Sequence, residues 1–199
     1  MIKLKLTSLI VLFPLLVFGQ IRSIDAGIYK VVYNEELENP TYITYTVQCP
    51  EGNASRKGMD FYKVDSVHTA DNDDYKYNVW DKGHMAPAAD FNCDTETLRK
   101  TFSYLNSALQ HKSLNRGVWK YLEAYERTLA LTESPVEITI EVIFTKNPER
   151  VPAGAAIPSM FYKEIKTSKR QECYMFENGE QKSSNFKDYL IDCLKSPKL

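Results

Sequence analysis

From Val136 to Phe144 the chain alternates: Val136, Ile138, Ile140, Val142 and Phe144 are apolar, while Glu137, Thr139, Glu141 and Ile143 stand between them, all but the last polar. Side chains on a strand point to opposite faces in turn, so a period of two predicts a strand with one face buried and one mostly wet. One-sided strands of this kind belong to antiparallel sheets, because parallel sheets are covered on both faces. Residues 28–33 and 42–47 are rich in β-branched and aromatic types and flank an acidic, turn-like stretch, which predicts a strand pair. Residues 161–167 read as another strand and Asn178-Gly179 as a turn.

A second period runs over residues 112–129. Val118, Leu122, Tyr125 and Leu129 fall on one arc at 100° per residue, which predicts a helix with a single apolar stripe. Asn115, Trp119, Glu123 and Arg127 stand four apart and form a second stripe beside it. Residues 50–58, 65–78 and 148–158 carry turn chemistry and read as loops. Strands and helices mix without a βαβ rhythm, so the expected class is α+β, a mixed, mainly antiparallel sheet with helices.

At 199 residues the chain has room for one domain with a core, expected over 20–199. Residues 1–19 begin with Lys3 and Lys5, continue with an apolar run interrupted by Pro14, and end at Gly19. They read as a cleavable signal peptide too short to span a bilayer, with no stable membrane insertion after cleavage. The expected setting is therefore secreted or periplasmic. Loss of that leader removes two lysines and no acid from a chain whose formal charge is −1. A nucleic-acid partner then needs local rather than overall positive charge. Lys112, Arg116, Lys120 and Arg127 form one basic stretch, and Lys163, Lys166, Lys169 and Arg170 another; each alone reads as a solvated face. Cys49, Cys93, Cys173 and Cys193 lack metal-site spacing and allow three disulfide pairings, of which we favour Cys49–Cys93 with Cys173–Cys193.

The stretch with the most chemical content is Asp81-Lys82-Gly83-His84-Met85-Ala86-Pro87-Ala88-Ala89-Asp90-Phe91. It resembles the D-R-G-H-M-A-P-A-A-D signature of the DNA/RNA non-specific endonucleases, a family with a ββα-metal active-site motif. Thr101-Phe102 and Asn106 resemble that family's T-F and S-N segment. Leu114-Asn115-Arg116-Gly117-Val118-Trp119 with Leu122-Glu123 is similar to its L-N-x-G-x-W-x-x-L-E helix, followed by an arginine at Arg127. Ile157-Pro158 and Phe161-Tyr162-Lys163 resemble a later strand of the family.

The resemblance implies hydrolysis of phosphodiester bonds in DNA and RNA without sequence preference. It gives His84 as general base, suited because an unperturbed imidazole is mostly neutral above about pH 6.5. It gives Asn115 as the direct protein ligand of a hydrated Mg²⁺, with Mn²⁺ expected to substitute. One neutral oxygen suits an ion that keeps several of its waters. Glu123 would orient water around the ion, Arg127 would clamp phosphate, and Lys82 and Asn106 would bind substrate. Asp81 is expected to be a structural partner, and His68 and His111 to be surface residues. Among partners, DNA and RNA are expected and a protein inhibitor is unknown.

The chain also departs from the pattern. Lys82 replaces an arginine, which keeps the charge but loses the planar two-pronged grip on phosphate. Thr46 stands where the family has an arginine, Leu105 replaces a serine, Ala108-Leu109-Gln110 replaces a P-Q pair, and Phe144-Thr145-Lys146 replaces a G-P. The alternative function is accordingly a catalytically weakened or inactive homologue that only binds nucleic acid.

Overall fold

The computed structural model describes residues 20–193. The expected signal peptide lies outside the described residues. Seven strands form one antiparallel sheet: β1 (Ile21–Asp25), β2 (Tyr29–Asn34), β3 (Asn39–Thr46), then β6 (Glu137–Ile143), β7 (Met160–Lys166), β8 (Gln171–Glu177) and β9 (Leu190–Ile191), in that spatial order. Between β3 and β6 the chain leaves the sheet. It forms a separate two-stranded hairpin from β4 (Trp80–His84) and β5 (Ser107–His111), with a short helix α1 (Thr95–Lys100) in the connection. It returns through α2 (Lys112–Leu114), a widened π-type turn (Asn115–Trp119) and α3 (Lys120–Glu133). The expected α+β class is observed.

The alternation of the predicted strand survives in β6, where Ile138, Ile140 and Val142 are buried and face the core. There they join Val31, Tyr33 and Ile43 from the N-terminal pair and Val118, Trp119, Leu122 and Leu129 from the helical segment. Trp119 meets the edges of Phe161 and Phe176, each ring 5.6 Å away and steeply inclined. The helix is nevertheless not continuous over 112–129. Gly117 (φ −105°, ψ −117°) leaves the helical region and divides it. Such a break is tolerated where no Cβ restricts the backbone. Past it, α3 runs on to Glu133 and stops before Pro135, which disfavours helical geometry in the residue ahead of it.

Two surface readings need correction. Lys163 is fully buried, because it shares the inward face of β7 with Phe161 and Ile165. Its ammonium lies 2.6 Å from the equally buried Glu126 carboxylate and 4.4 Å from the centre of the Trp119 ring. Counting charges along the sequence misses strand register. His111 is also buried: its Nδ1 accepts the Ser113 N–H at the start of α2, and its ring meets Trp80 at 5.6 Å. His68 is exposed as expected. Both favoured disulfides, Cys49–Cys93 and Cys173–Cys193, are formed. Among the described residues no helix is long and apolar enough to cross a membrane.

Candidate active site

The β4–β5 hairpin and the helical segment after it form a ββα unit. Its register pairs His84 with Ser107 and Gly83 with Ala108, which puts His84 at the end of β4. Gly83 is required by crowding: a Cβ there would lie 2.5 Å from Oε1 and 2.6 Å from Cβ of Gln110. Helix and strand are joined by Asp81, whose Oδ2 accepts from Asn115 Nδ2 (2.9 Å) and from Arg116 Nε (2.8 Å), while Oδ1 accepts from Arg116 Nη2 (2.6 Å). Burial raises the Asp81 pKa, but the hydrogen bonds from Arg116 and Asn115 outweigh it and hold the group below its usual range. Asp81 is thus the structural partner the sequence suggested.

The unit opens on a cleft of about 630 Å³. His84, Asn115, Glu123, Arg127 and Lys82 all line it, so five of the six expected site residues converge. The sixth does not. Asn106 is fully buried: its Oδ1 accepts the Ala86 N–H (2.8 Å), and its Nδ2 donates to the carbonyls of Ala86 (2.8 Å) and Thr101 (2.9 Å). With its amide committed to backbone it has nothing to offer a substrate. The expectation of substrate binding is corrected: Asn106 pins the loop that follows His84.

His84 is held by apolar contacts. Phe61 packs 4.7 Å and Phe102 5.0 Å from its ring centre, and Nε2 is buried without a hydrogen-bond partner. Nδ1 is not among the buried, unpartnered atoms and is therefore the nitrogen open to the cleft. Burial, aided by the charge of Arg56, brings the His84 pKa down to about 4. The ring is accordingly neutral at physiological pH.

Asn115 spends its amide hydrogen on Asp81, leaving Oδ1 as the acceptor on the cleft side. Glu123 stands beyond the break at Gly117, in the first turn of α3, and lines the same cleft. Burial pushes its pKa up to about 7; Lys163 and Arg127 oppose that shift and Glu126 adds to it. Arg127 Nη1 is bound to the buried Asp90 carboxylate at 2.8 Å, which fixes the guanidinium while the residue still borders the cleft. Behind them, Glu126 accepts from Tyr45 Oη (2.8 Å) and faces Lys163.

Lys82 is differently placed from a free clamp. Its ammonium is bound to Asp60 Oδ1 at 3.0 Å and to Asn72 Oδ1, and it sits 5.4–6.0 Å from the ring centres of Phe61, Tyr75 and Tyr104. The sequence reading missed Arg56, which reaches the cleft from the loop 50–58, and undervalued Arg116 and Lys120, which it left on a solvated face. A signal for Arg56 was available. The Cys49–Cys93 pairing ties that loop to the end of the signature stretch, and backbone bonds from Cys49 to Asp90 (2.9 Å) and from Ala54 to Asn92 (2.9 Å) complete the seam. The lining contains the cations Arg56, Lys82, Arg116, Lys120 and Arg127 against the one carboxylate of Glu123. A cleft of that charge attracts polyanions even on a slightly acidic protein.

The donor set also bears on a metal. Among the described residues no group of three or more His, Cys, Asp or Glu side chains could hold an ion. A lone amide oxygen beside a carboxylate suits a hard, mostly hydrated cation and does not suit zinc. Asn115 and Glu123 fit the ion that the family resemblance implies.

A ββα unit presenting one histidine and one asparagine in a cationic cleft defines the class, and sequence comparison agrees. Residues 16–196 match the DNA/RNA non-specific endonuclease family, and the chain belongs to it. Members of this family are metal-dependent nucleases. The chain is 35% identical over 127 residues to endonuclease G, mitochondrial, of Bos taurus, covering 61% of this chain and 42% of that protein. It is 31% identical over 135 residues to nuclease EXOG, mitochondrial, of Xenopus laevis, covering 57% and 36%. Against nuclease 1, mitochondrial, of Schizosaccharomyces pombe it is 29% identical over 164 residues, covering 72% and 51%. The chain thus spans about half or less of these relatives. The crystal structure of an EndoG/EndoGI complex shares the fold, with a TM-score of 0.76 at 22% identity over 88% of this chain and 82% of that one.

The relatives overturn the expectation of a secreted or periplasmic protein, because they are named as mitochondrial nucleases. A short basic and apolar leader does not by itself specify one destination, and the reading of residues 1–19 as an export signal loses its support.

Proposed function

We propose that this chain is a metal-dependent endonuclease that hydrolyses phosphodiester bonds of DNA and RNA without sequence specificity, and that residues 20–199 form its single domain. The observation that carries the reading is the pairing of His84, with Nδ1 open, and Asn115, with Oδ1 open, in one cationic cleft.

His84 Nδ1 takes the proton from the attacking water. Its low pKa keeps it neutral at pH 7, and a phosphate in the cleft opposes the field of Arg56 and raises its basicity. Asn115 Oδ1 would hold one hydrated Mg²⁺, and Glu123 would orient water beside it. When bound, the ion neutralises charge on the phosphate and on the departing 3′ oxygen. Arg127, fixed by Asp90, and Arg56, without an ion pair among the described residues, grip the phosphate. Contacts of this kind read backbone rather than base edges, so sequence preference is weak. The placement of Lys82 favours a reading of reduced activity, since its ammonium is already bound to Asp60 and Asn72.

The fold neighbour was solved as a complex described as a mechanism of EndoG inhibition. By analogy, a protein that covers the cationic cleft is a candidate inhibitor of this chain. The activity itself is tested by incubating the purified chain with supercoiled plasmid and with RNA, in Mg²⁺ and in excess EDTA. Cleavage of both substrates that stops in EDTA and returns with Mg²⁺ or Mn²⁺ supports the reading. Undiminished cleavage in EDTA contradicts it.

A further inference from the structure

A general base has to keep its reactive nitrogen aimed, and a second ring nitrogen bound to a carbonyl or carboxylate commonly does this. His84 has no such bond: Nε2 is buried and unpartnered. What surrounds the ring instead is aromatic. Phe61 lies 4.7 Å from its centre at an interplanar angle of 52°, and Phe102 lies 5.0 Å away at 87°, edge to face. The two phenyl rings also touch each other at 5.4 Å.

They are built on adjacent backbone. Tyr62 N–H donates to the Phe102 carbonyl (2.9 Å) and Tyr104 N–H to the Tyr62 carbonyl (3.0 Å), a parallel bridge of Tyr62 with Ser103. Lys82 fastens the outer side, lying 5.4 Å over Phe61 while bound to Asp60 next to it in sequence. The clamp is therefore tied at both ends, and the ring between is fixed by shape.

We infer that Phe61 and Phe102 are positioning residues, which hold the His84 imidazole so that Nδ1 faces the cleft and Nε2 stays dry. This rests on His84 being the base. The same apolar wall supplies the burial that lowers the His84 pKa. Of the charged groups around the cleft, Arg56 from the loop 50–58 acts on the ring, while Lys82 on its own strand and Arg116, Lys120, Glu123 and Arg127 line the same cleft.

The test uses the full chain carrying Phe61→Leu, Phe102→Leu or Phe61→Tyr, with His84→Ala as reference. The chain has three histidines, so the His84 ring proton is assigned in an NMR titration by its loss in His84→Ala. We expect each leucine variant to lose roughly tenfold or more in kcat with KM for DNA unchanged, as misaligned groups do. The His84 titration should move upward from about 4, and Phe61→Tyr should restore both. Half-buried Phe61 tolerates leucine more readily than buried Phe102, so the Phe61 pair decides the matter if Phe102→Leu does not fold. Wild-type kcat and an unmoved titration in Phe61→Leu would overturn the inference while leaving the base assignment intact. So would a lower kcat with an unmoved titration, which marks general damage. Wild-type activity in His84→Ala would instead remove the base assignment on which the inference rests.

Discussion

Asn115 Nδ2 donates to Asp81 Oδ2 across 2.9 Å, and that bond decides which atom of Asn115 meets the cleft. Asp81 accepts and cannot donate while ionised, so the amide is oriented with Oδ1 outward.

Removing this orientation should weaken metal binding without removing the ligand. Partners behind a metal ligand typically contribute about 10–100-fold in affinity or activity. Asp81→Ala is expected to raise the Mg²⁺ concentration for half-maximal cleavage by a factor in that range. Asn115→Ala should abolish turnover. A Mg²⁺ titration of plasmid cleavage checks both, and an unchanged midpoint in Asp81→Ala would show that the Asp81 bond does not set the ligand.

Glu123 gives a prediction on stability. Its pKa rises from 4.5 to about 7 on folding, so the native state binds more protons between those values. Stability then falls as pH rises through that window, by about 3 kcal/mol for this group in the metal-free protein. Glu123→Gln should therefore raise Tm by several degrees at pH 8 and change it little at pH 4.5, while lowering turnover. Melting curves in EDTA at the two pH values measure this. Equal shifts at both would show that the carboxylate charge is not the cause.

Arg56 and Lys82 should separate in their salt dependence. A cation that contacts phosphate adds about one unit to the slope of log affinity against log salt. Arg56→Ala should reduce that slope by about one, whereas Lys82→Ala, whose ammonium is already held by Asp60 and Asn72, should leave it near wild type. Filter binding to a long duplex, in EDTA and over a range of salt, reads the difference. The reverse ranking would make Lys82 the clamp.

The Cys49–Cys93 bridge is expected to support both folding and substrate binding. It closes a loop of sequence separation 44, for which the chain-entropy model gives about 4 kcal/mol. Paired Cys49→Ser and Cys93→Ser substitutions should lower Tm and raise KM for DNA, because the loop carrying Arg56 loses its anchor. Unchanged KM with lowered Tm would confine the bridge to a structural role.

Much of this arrangement was legible in the chain. The alternation at 136–144 set the one-sided sheet, and the four-residue spacing of Glu123 and Arg127 placed two cleft residues on one face of α3, which Asn115 joins from before the break. The break at Gly117 was not legible, because a glycine inside a periodic pattern permits a kink without requiring one. β4 and β5 have no alternating pattern: Ser107–His111 is buried throughout, so neither face reads as wet. Asn106 and Lys163 misled for a shared reason. Residue type shows what a side chain can offer, and only register and neighbours show what has already been taken. The pairing of the cysteines held more about Arg56 than the reading drew from it.

The central claim is that His84 Nδ1 takes the proton from water in this cleft. Single-turnover cleavage of supercoiled plasmid in saturating Mg²⁺, comparing wild type with His84→Ala, tests it most directly. Loss of a general base should slow cleavage by roughly 10²–10⁴ while DNA affinity stays unchanged. Equal single-turnover rates for the two proteins would contradict the account.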